Sequence, residues 1–239
     1  MPKFRELAGY AAAIAPVIDA AHVNVHASAR RAVTELSEAS GVSPGFLHDL
    51  RFMLPLRSLT RTDLGTIYRY GDAEGRESGI QEHLREGALA EDGEGALRVT
   101  TAGLEFIRRL YDLHGAVVER IWTGHDLPGL ARLAGRALDH AERVPGGALA
   151  LMAPPYEPDG TAPGVLLFNR LAVLRYHRAD AHAAAWQAEG LSAAEIVGLR
   201  DGPVRARIEA DTNLRAAAPY EILSEDERRT LYDGLLKLI

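Results

Sequence analysis

The chain has 239 residues, 47% of them hydrophobic, which is enough for one large domain or two ordinary ones. Its formal net charge is −6, and residues 1–125 and 126–239 carry −3 each, so neither part has the basic excess typical of nucleic-acid binders. It has no cysteine, which excludes disulfides, thiolate metal sites and cysteine nucleophiles.

Helical periodicity dominates the N-terminal region. Apolar residues at helical spacing predict a helix from Phe4 to about Ala21, with Pro16 as a kink or break. A second helix is predicted over about His22–Ala39, and it ends at the turn SGVSPG. The next apolar run, FLHDLRFMLPLR, predicts a helix that stops near Pro55.

Capping residues and a turn define the following elements. Thr60 with Asp63 three residues later, and then Asp72, predict the starts of two short helices. The segment ALAEDGEGALRVT predicts two short strands around a turn at Asp92–Gly95. A long helix, capped near Thr101, follows the second strand.

The order helix, helix, helix, two-stranded wing, helix over residues 46–110 resembles a MarR-type winged helix-turn-helix. The segment HLREGALAEDGEGALRVTTAGLEFIRRL carries the resemblance, through Leu84, Gly87, Leu89, Asp92, Gly93, Val99, Thr100 and Gly103. This resemblance implies a transcriptional regulator with a recognition helix at about 73–86. The residues expected to contact DNA are Arg57, Arg61, Arg69, Arg76, Gln81 and Arg85.

Acidic residues on the same elements favour a different interpretation. The wing tip carries Glu91, Asp92 and Glu94, where DNA-binding relatives usually offer arginine. Phosphate contacts supply much of the affinity for DNA, so an acidic wing should repel it. The alternative is a winged helix kept as a packing or dimerisation module, because a fold does not determine a function.

Glycine and proline are frequent over residues 123–165, around a helix predicted at about 127–143. The stretch that follows this helix is the longest irregular one and is interpreted as a lid or a linker. Further helices are predicted at about 165–189, after Ser192, at about 202–216 and at about 224–238. We therefore divide the chain into residues 1–122, 123–164 and 165–239.

Residues 171–220 resemble a second group, which consists of largely uncharacterised, actinobacterial-type all-helical proteins described loosely as helix-turn-helix-like. Three motifs carry this resemblance: LRYHRADAHAAAW, GLSAAEIVGL and EADTNLRAAAPY. It implies an α-helical fold and brings no known reaction with it.

The helix LRYHRADAHAAAW is unusually rich in polar groups. At 100° per residue, Arg175, Arg178 and His182 form one stripe, while His177 and Asp180 form another. These groups either lock helices together or form the wall of a pocket for an anionic small molecule. A carboxylate such as Glu209 or Asp211, or a ligand, is then expected between the arginines. The predicted ligand-binding residues are Arg175, His177, Arg178, Asp180, His182 and Trp186.

His22 and His26 are four residues apart, which is the spacing of a two-histidine metal site on one helix face. The Glu of an HExxH motif is missing and no third ligand can be assigned, so a helix–helix seam is the competing interpretation. The sequence therefore predicts no metal site, no cofactor and no catalytic residue.

The expected fold class is mainly α: a winged helix-turn-helix with a small two-stranded β-wing, plus a C-terminal helical domain. The first hypothesis for its function is a cytoplasmic, ligand-responsive regulator that binds DNA. The second is an enzyme or small-molecule-binding protein on a winged-helix scaffold that no longer binds DNA. The last helix has an apolar stripe, and MarR-type proteins dimerise through their terminal helices, so we expect a homodimer. No stretch of about 18 apolar residues lacks a charge, so no membrane association is predicted.

Overall fold

The computed structural model describes residues 5–239. The chain is mainly helical, as predicted, with one two-stranded antiparallel sheet. Its elements are α1 (Leu7–Ser40), α2 (Gly45–Asp49), α3 (Arg61–Ile67), α4 (Ala73–Arg85), β1 (Leu89–Glu91), β2 (Leu97–Val99), α5 (Thr101–Ile121), α6 (Leu127–His140), α7 (Ala148–Met152), α8 (Pro163–Ala188), α9 (Ala193–Gly198), α10 (Pro203–Arg215), a 3₁₀ turn (Ala218–Tyr220) and α11 (Glu225–Leu236).

The two N-terminal helices predicted from the sequence are one continuous helix, α1, so the predicted boundary between Ala21 and His22 is wrong, and Pro16 does not break the helix. Proline leaves the carbonyl of residue 12 without its helical donor. Both Pro16 and Ala12 lie on the exposed side of α1, where water can satisfy that carbonyl. Phe4, the predicted start of the helix, lies outside the described residues.

The predicted helix up to Pro55 is much shorter than expected, because α2 ends at Asp49 and turns follow. Leu50, Phe52, Met53 and Leu54 are all buried in the core. A helix at the surface buries only one stripe of its side chains, so it could not bury four residues that are nearly consecutive in sequence. The turn segment can bury them because its side chains do not follow the helical repeat.

The two antiparallel strands predicted as a wing form, with Leu89 paired to Val99 and Glu91 to Leu97. The hydroxyl of Thr100 caps α5 by accepting a hydrogen bond from the backbone N–H of Gly103. A Cβ at Gly103 would lie 2.2 Å from the carbonyl oxygen of Ala88, so only glycine allows α5 to start this close to β1. The segment has the element order of a winged helix, whereas its kinship with the MarR type stays a prediction.

The capping predictions are confirmed at the helix starts. Capping boxes are present at Thr60 with Asp63, Ser192 with Glu195 and Ser224 with Glu227. The stretch predicted as irregular after α6 holds one short helix that the sequence analysis missed, α7. Its first two N–H groups donate to the carboxylate of Asp180, which is a cap from a distant part of the chain.

Helix α8 is the central element, since it packs against α1, α5, α6, α7 and α10. One hydrophobic core runs from Tyr10 to Leu238 and draws on all three segments predicted from the sequence. A smaller cluster around Trp186 joins the end of α8 to α9 and α10.

The apolar stripe of the last helix is used within this core: Leu231, Leu235 and Leu238 are buried, whereas Ile239 is exposed. The observation that suggested a homodimer is thus accounted for inside one chain, and the dimer stays a prediction. None of the described helices combines the length and the apolar character that spanning a bilayer would need.

Candidate metal centre

Four histidines from three helices meet beside the central helix. His22 and His26 lie one turn apart on α1, His48 lies on α2 and His114 lies on α5. The rings of His22, His26 and His114 are each 5.1–5.2 Å from the ring of the fully buried Phe168 on α8. We call these four residues the histidine cluster.

The distances within the cluster suit a shared ion. Nδ1 of His26 lies 3.0 Å from Nε2 of His48. Two nitrogens that bind one zinc ion at about 2.0–2.1 Å lie roughly 3–3.4 Å apart at tetrahedral or square angles, so this pair already has the spacing of neighbouring ligands. Ligand atoms of His26, His48 and His114 all lie within 4.8 Å of one another.

His114 is the member of the cluster that protein contacts do not explain. Its side chain is fully buried on the apolar face of α5, between Leu110 and Val117. Neither of its ring nitrogens has a hydrogen-bond partner among residues 5–239. Leaving a buried polar group unpaired costs about 1–3 kcal/mol, and such groups are rare in folded proteins. A metal ion bound to one of the nitrogens would remove most of this cost.

His22 supports the other three and is not itself placed as a ligand. His26 can offer only one nitrogen to an ion at this site, and its Nδ1 faces His48. Its Nε2 lies 3.2 Å from Nε2 of His22. Arg175 can only donate to Nδ1 of His22, so in the metal-free chain Nε2–H of His22 donates to Nε2 of His26. Binding of a metal to Nδ1 of His26 would reverse this hydrogen bond and release the contact of His22 with Arg175, after which His22 would fix the ring orientation of the ligand.

The environment keeps the cluster neutral, which is the form of imidazole that binds metals. Burial, reinforced by the positive charge of Arg51, lowers the pKa of His48 to about 4 and that of His26 to about 2. Burial is also the main cause that lowers the pKa of His22 and of His114. Protons therefore compete little with a metal for these nitrogens near neutral pH.

Arg51 is a fully buried cation beside the cluster. Its guanidinium lies 4.3 Å above the ring of Phe168, and burial lowers its pKa to about 10. Nη2 donates to Oδ1 of Asn169 at 2.9 Å, and Nη1 donates to the carbonyl oxygen of His48 at 2.8 Å. Nε has no partner. Within the described residues, no carboxylate oxygen lies within ion-pair distance, 4.0 Å, of Arg51.

The residues expected to contact DNA are largely engaged within the chain. Arg57 donates to the carbonyl oxygens of Leu151, Ala153 and Pro154, and Arg76 donates to those of Tyr68 and Gly71. The remaining contacts are Arg61 with Glu77 and Glu91, Arg69 with Asp180, Gln81 with Glu77, and Arg85 with the carbonyl oxygen of Gln81. Three of these partners are acidic groups that cancel the positive charge a phosphate would need.

The six residues predicted to bind a ligand line two clefts that meet at His177. The cleft between α1, α8 and α10 has a volume of about 270 Å³ and is lined by Arg175, Arg178 and His182. The other, of about 670 Å³, lies between α3, the Gly/Pro-rich turn and α8, and is lined by Asp180 and Trp186.

Protein groups already satisfy most of these six side chains. Arg178 donates to Asn213 at 2.9 Å and lies 3.5 Å from Glu209, whereas Asp211 pairs with Arg215. Further contacts join His182 to Tyr70, Trp186 to Tyr70, and Asp180 to Arg69. His177 alone has no hydrogen bond to another described residue, and burial lowers its pKa. The contacts favour the interpretation in which this helix locks its neighbours together.

Arg175 is the predicted ligand-binding residue that the structure connects to the histidine cluster. Its Nε donates to Asp19 at 2.6 Å, and its Nη1 lies 3.2 Å from Nδ1 of His22. The smaller cleft therefore reaches the cluster through this one side chain.

Sequence reasoning found His22 and His26 by their spacing but missed His48, His114 and Arg51. A signal for His114 was present, since it interrupts an apolar stripe formed by Ile107, Leu110, Val117 and Val118. Arg51 likewise interrupts the apolar run FLHDLRFML. Polar residues at core positions are the pattern that buried sites leave in a sequence.

Compared with known proteins, the chain matches no family model, no curated protein and no solved structure.

Proposed function

We propose that this protein binds a transition-metal ion through His26, His48 and His114, and that it belongs to the class of enzymes and small-molecule-binding proteins rather than to the DNA-binding regulators. The observation that carries the proposal is the fully buried ring of His114, whose two nitrogens lack partners beside two further imidazoles. Three neutral imidazoles suit zinc, iron, cobalt, nickel or copper better than magnesium or calcium, which prefer oxygen ligands.

The number of ligands points to chemistry at the ion. Structural zinc sites have four protein ligands, while catalytic sites have three and keep a position open for water or substrate. An ion held by three histidines can polarise an oxygen ligand or lower the pKa of a bound water. We therefore propose a catalytic type of centre, in which the winged-helix-like segment serves as scaffold. We keep the cytoplasmic location and the homodimer as part of this proposal.

Titration of the metal-free protein with Co²⁺ tests the proposal. Co²⁺ adopts the geometries of zinc sites and reports its ligands through visible absorption. We expect one ion per chain, with absorption bands typical of nitrogen ligands. The variants His26→Gln and His114→Leu should each lose this binding.

His140→Gln is the matched control, because His140 lies at the exposed end of α6, away from the cluster. It should bind Co²⁺ as the wild type does. Wild-type protein that leaves Co²⁺ in its aqueous form would refute the metal centre, and so would unchanged binding by both cluster variants.

A DNA-binding regulator is the second candidate function, and the element order of α3, α4, β1, β2 and α5 favours it. Helix α4 has two arginines against three glutamates, so any binding should be weak and strongly dependent on salt. A gel-shift screen at low salt against the gene's own upstream region tests this. A gel shift that Arg85→Ala weakens would support the DNA-binding regulator. The absence of a shift at micromolar protein concentration would leave metal binding as the remaining candidate function.

A further inference from the structure

The metal centre has an imbalance of charge that protein groups do not resolve. The three proposed ligands are neutral, and the fully buried Arg51 adds a positive charge beside them. A divalent ion would therefore place several positive charges together in the interior. Burying uncompensated charge is expensive, and the cost falls when an opposite charge is bound with good geometry.

Carboxylates of the chain offer little compensation. Asp49 approaches His48 with 3.8 Å between Oδ1 and Nδ1, but its side chain is 52% exposed and faces partly towards solvent. Asp19 is held by Arg175 at the smaller cleft. Among the described residues, Arg51 donates hydrogen bonds to the neutral amide oxygen of Asn169 and the carbonyl oxygen of His48, and the carboxylate of Asp49 interacts with it only electrostatically, from beyond ion-pair distance.

An unused donor lies on the same cation. Nε of Arg51 is a buried N–H group without a hydrogen-bond partner. It belongs to a guanidinium that lies over the Phe168 ring, which three histidines of the cluster also contact, and whose Nη1 donates to the carbonyl oxygen of His48. Arg51 and His114 thus present two unpartnered polar groups to one region, one suited to an anion and the other to a metal.

Building on the proposed metal centre, we propose that its open position holds a small anion that also accepts a hydrogen bond from Nε of Arg51. Such a ligand would compensate the buried charge and occupy both unpartnered groups at once. Tight packing limits its size, because Phe52, Phe168 and Leu47 around the site are fully buried. The ligand class is therefore a carboxylate group of a small molecule or an inorganic monoanion.

Asn169→Asp is the sharpest test. The new carboxylate would take the place of the amide oxygen 2.9 Å from Arg51 and supply the missing negative charge from within the chain. The hydroxyl of Tyr111, which accepts from Asn169 and donates to the carbonyl oxygen of Tyr156, would have to give up the second bond to donate to the aspartate. The Co²⁺-loaded variant should bind azide at least about tenfold more weakly than the wild type, because the hydrogen bond and the uncompensated charge are both reduced.

Asn213→Asp is the matched control, since Asn213 makes the same kind of contact with Arg178 at 2.9 Å, outside the cluster. Its azide affinity should stay within about twofold of the wild type. Arg51→Lys is a second variant, in which Nε is removed and a positive charge retained. It should also bind azide at least about tenfold more weakly while still binding Co²⁺.

The outcomes separate this proposal from the proposed function. If the wild type binds no Co²⁺, the metal centre itself is wrong. If Co²⁺ binds but neither azide nor acetate alters its spectrum, the anion site is wrong and the metal centre stands. Equal azide affinities in the wild type, Asn169→Asp and Arg51→Lys would also overturn the anion site. Tighter binding of acetate than of azide would identify a carboxylate ligand, and the reverse order an inorganic one.

Discussion

Nδ1 of His26 and Nε2 of His48 lie 3.0 Å apart, although the two residues come from different helices. In the metal-free chain one proton can bridge them, and a metal ion can replace that proton with little movement of either ring. The third ring, that of His114, has no such bridge. This asymmetry within the cluster leads to the first two predictions.

His114→Leu should leave the metal-free protein at least as stable as the wild type. The substitution removes two unpaired polar nitrogens from the core, and their burial costs about 1–3 kcal/mol. Leucine is branched whereas the imidazole ring is flat, so imperfect packing offsets part of that gain. Urea unfolding of the metal-free proteins measures the difference. A loss of several kcal/mol would mean that His114 has a structural partner, and the metal argument would lose its basis.

His22→Phe should weaken metal binding without abolishing it. His22 is hydrogen-bonded to His26 and does not itself bind the ion, and loss of a group that orients a ligand typically costs about 10–100-fold in affinity. His26→Gln, which removes a ligand, should cost much more. Competition against a coloured chelator ranks the two variants. If His22→Phe lost as much affinity as His26→Gln, the assignment of His22 would be wrong.

The stability of the metal-free protein should fall as the pH drops below about 6.5. The pKa of His48 is lowered to about 4 and that of His26 to about 2, so the unfolded chain takes up protons on these groups while the folded chain does not. Proton uptake by the unfolded state favours unfolding. Between pH 6.5 and 5.5 each such histidine should remove about 1 kcal/mol, a range in which carboxylates contribute little.

Urea unfolding at several pH values measures this fall. His26→Gln should show a shallower fall, while the exposed control His140→Gln should behave as the wild type does. A stability that stays constant between pH 6.5 and 5.5 would contradict a neutral, buried cluster.

Asp180→Ala should destabilise the fold strongly. The carboxylate pairs with Arg69, and both side chains are only 15% exposed. It also accepts hydrogen bonds from the first two N–H groups of α7. Removing one member of a buried pair costs about 3–5 kcal/mol, because the other charge stays in the interior. Glu35→Ala, which breaks an exposed pair with Arg31 on α1, is the control and should change stability little.

Local signals made much of the fold predictable. The capping boxes at Thr60, Ser192 and Ser224 each depend on two residues three positions apart. The two-stranded sheet depends on a turn between two short strands. The error at Pro16 arose because a proline on an exposed helix face can be tolerated, and the sequence alone does not show which face is exposed.

Only half of the candidate metal site could be predicted from the sequence. His22 and His26 share one helix, so their spacing reveals them, whereas His48 and His114 reach them only through the packing of α1, α2 and α5. The polar helix around Arg175 attracted attention because its residues are close in sequence. Most of its groups turn out to contact neighbouring segments of the chain. Long-range packing, not local pattern, decides which polar residues meet.

X-ray absorption of the protein loaded with one Zn²⁺ or Co²⁺ per chain tests the central claim most directly, because it reports the number and type of atoms bound to the ion. We predict three imidazole nitrogens at about 2.0–2.1 Å and at least one further oxygen or nitrogen ligand from solvent or an added anion. In His114→Leu, any ion that still binds should show one imidazole fewer. An ion surrounded mainly by oxygen, or a spectrum that His114→Leu leaves unchanged, would contradict the account.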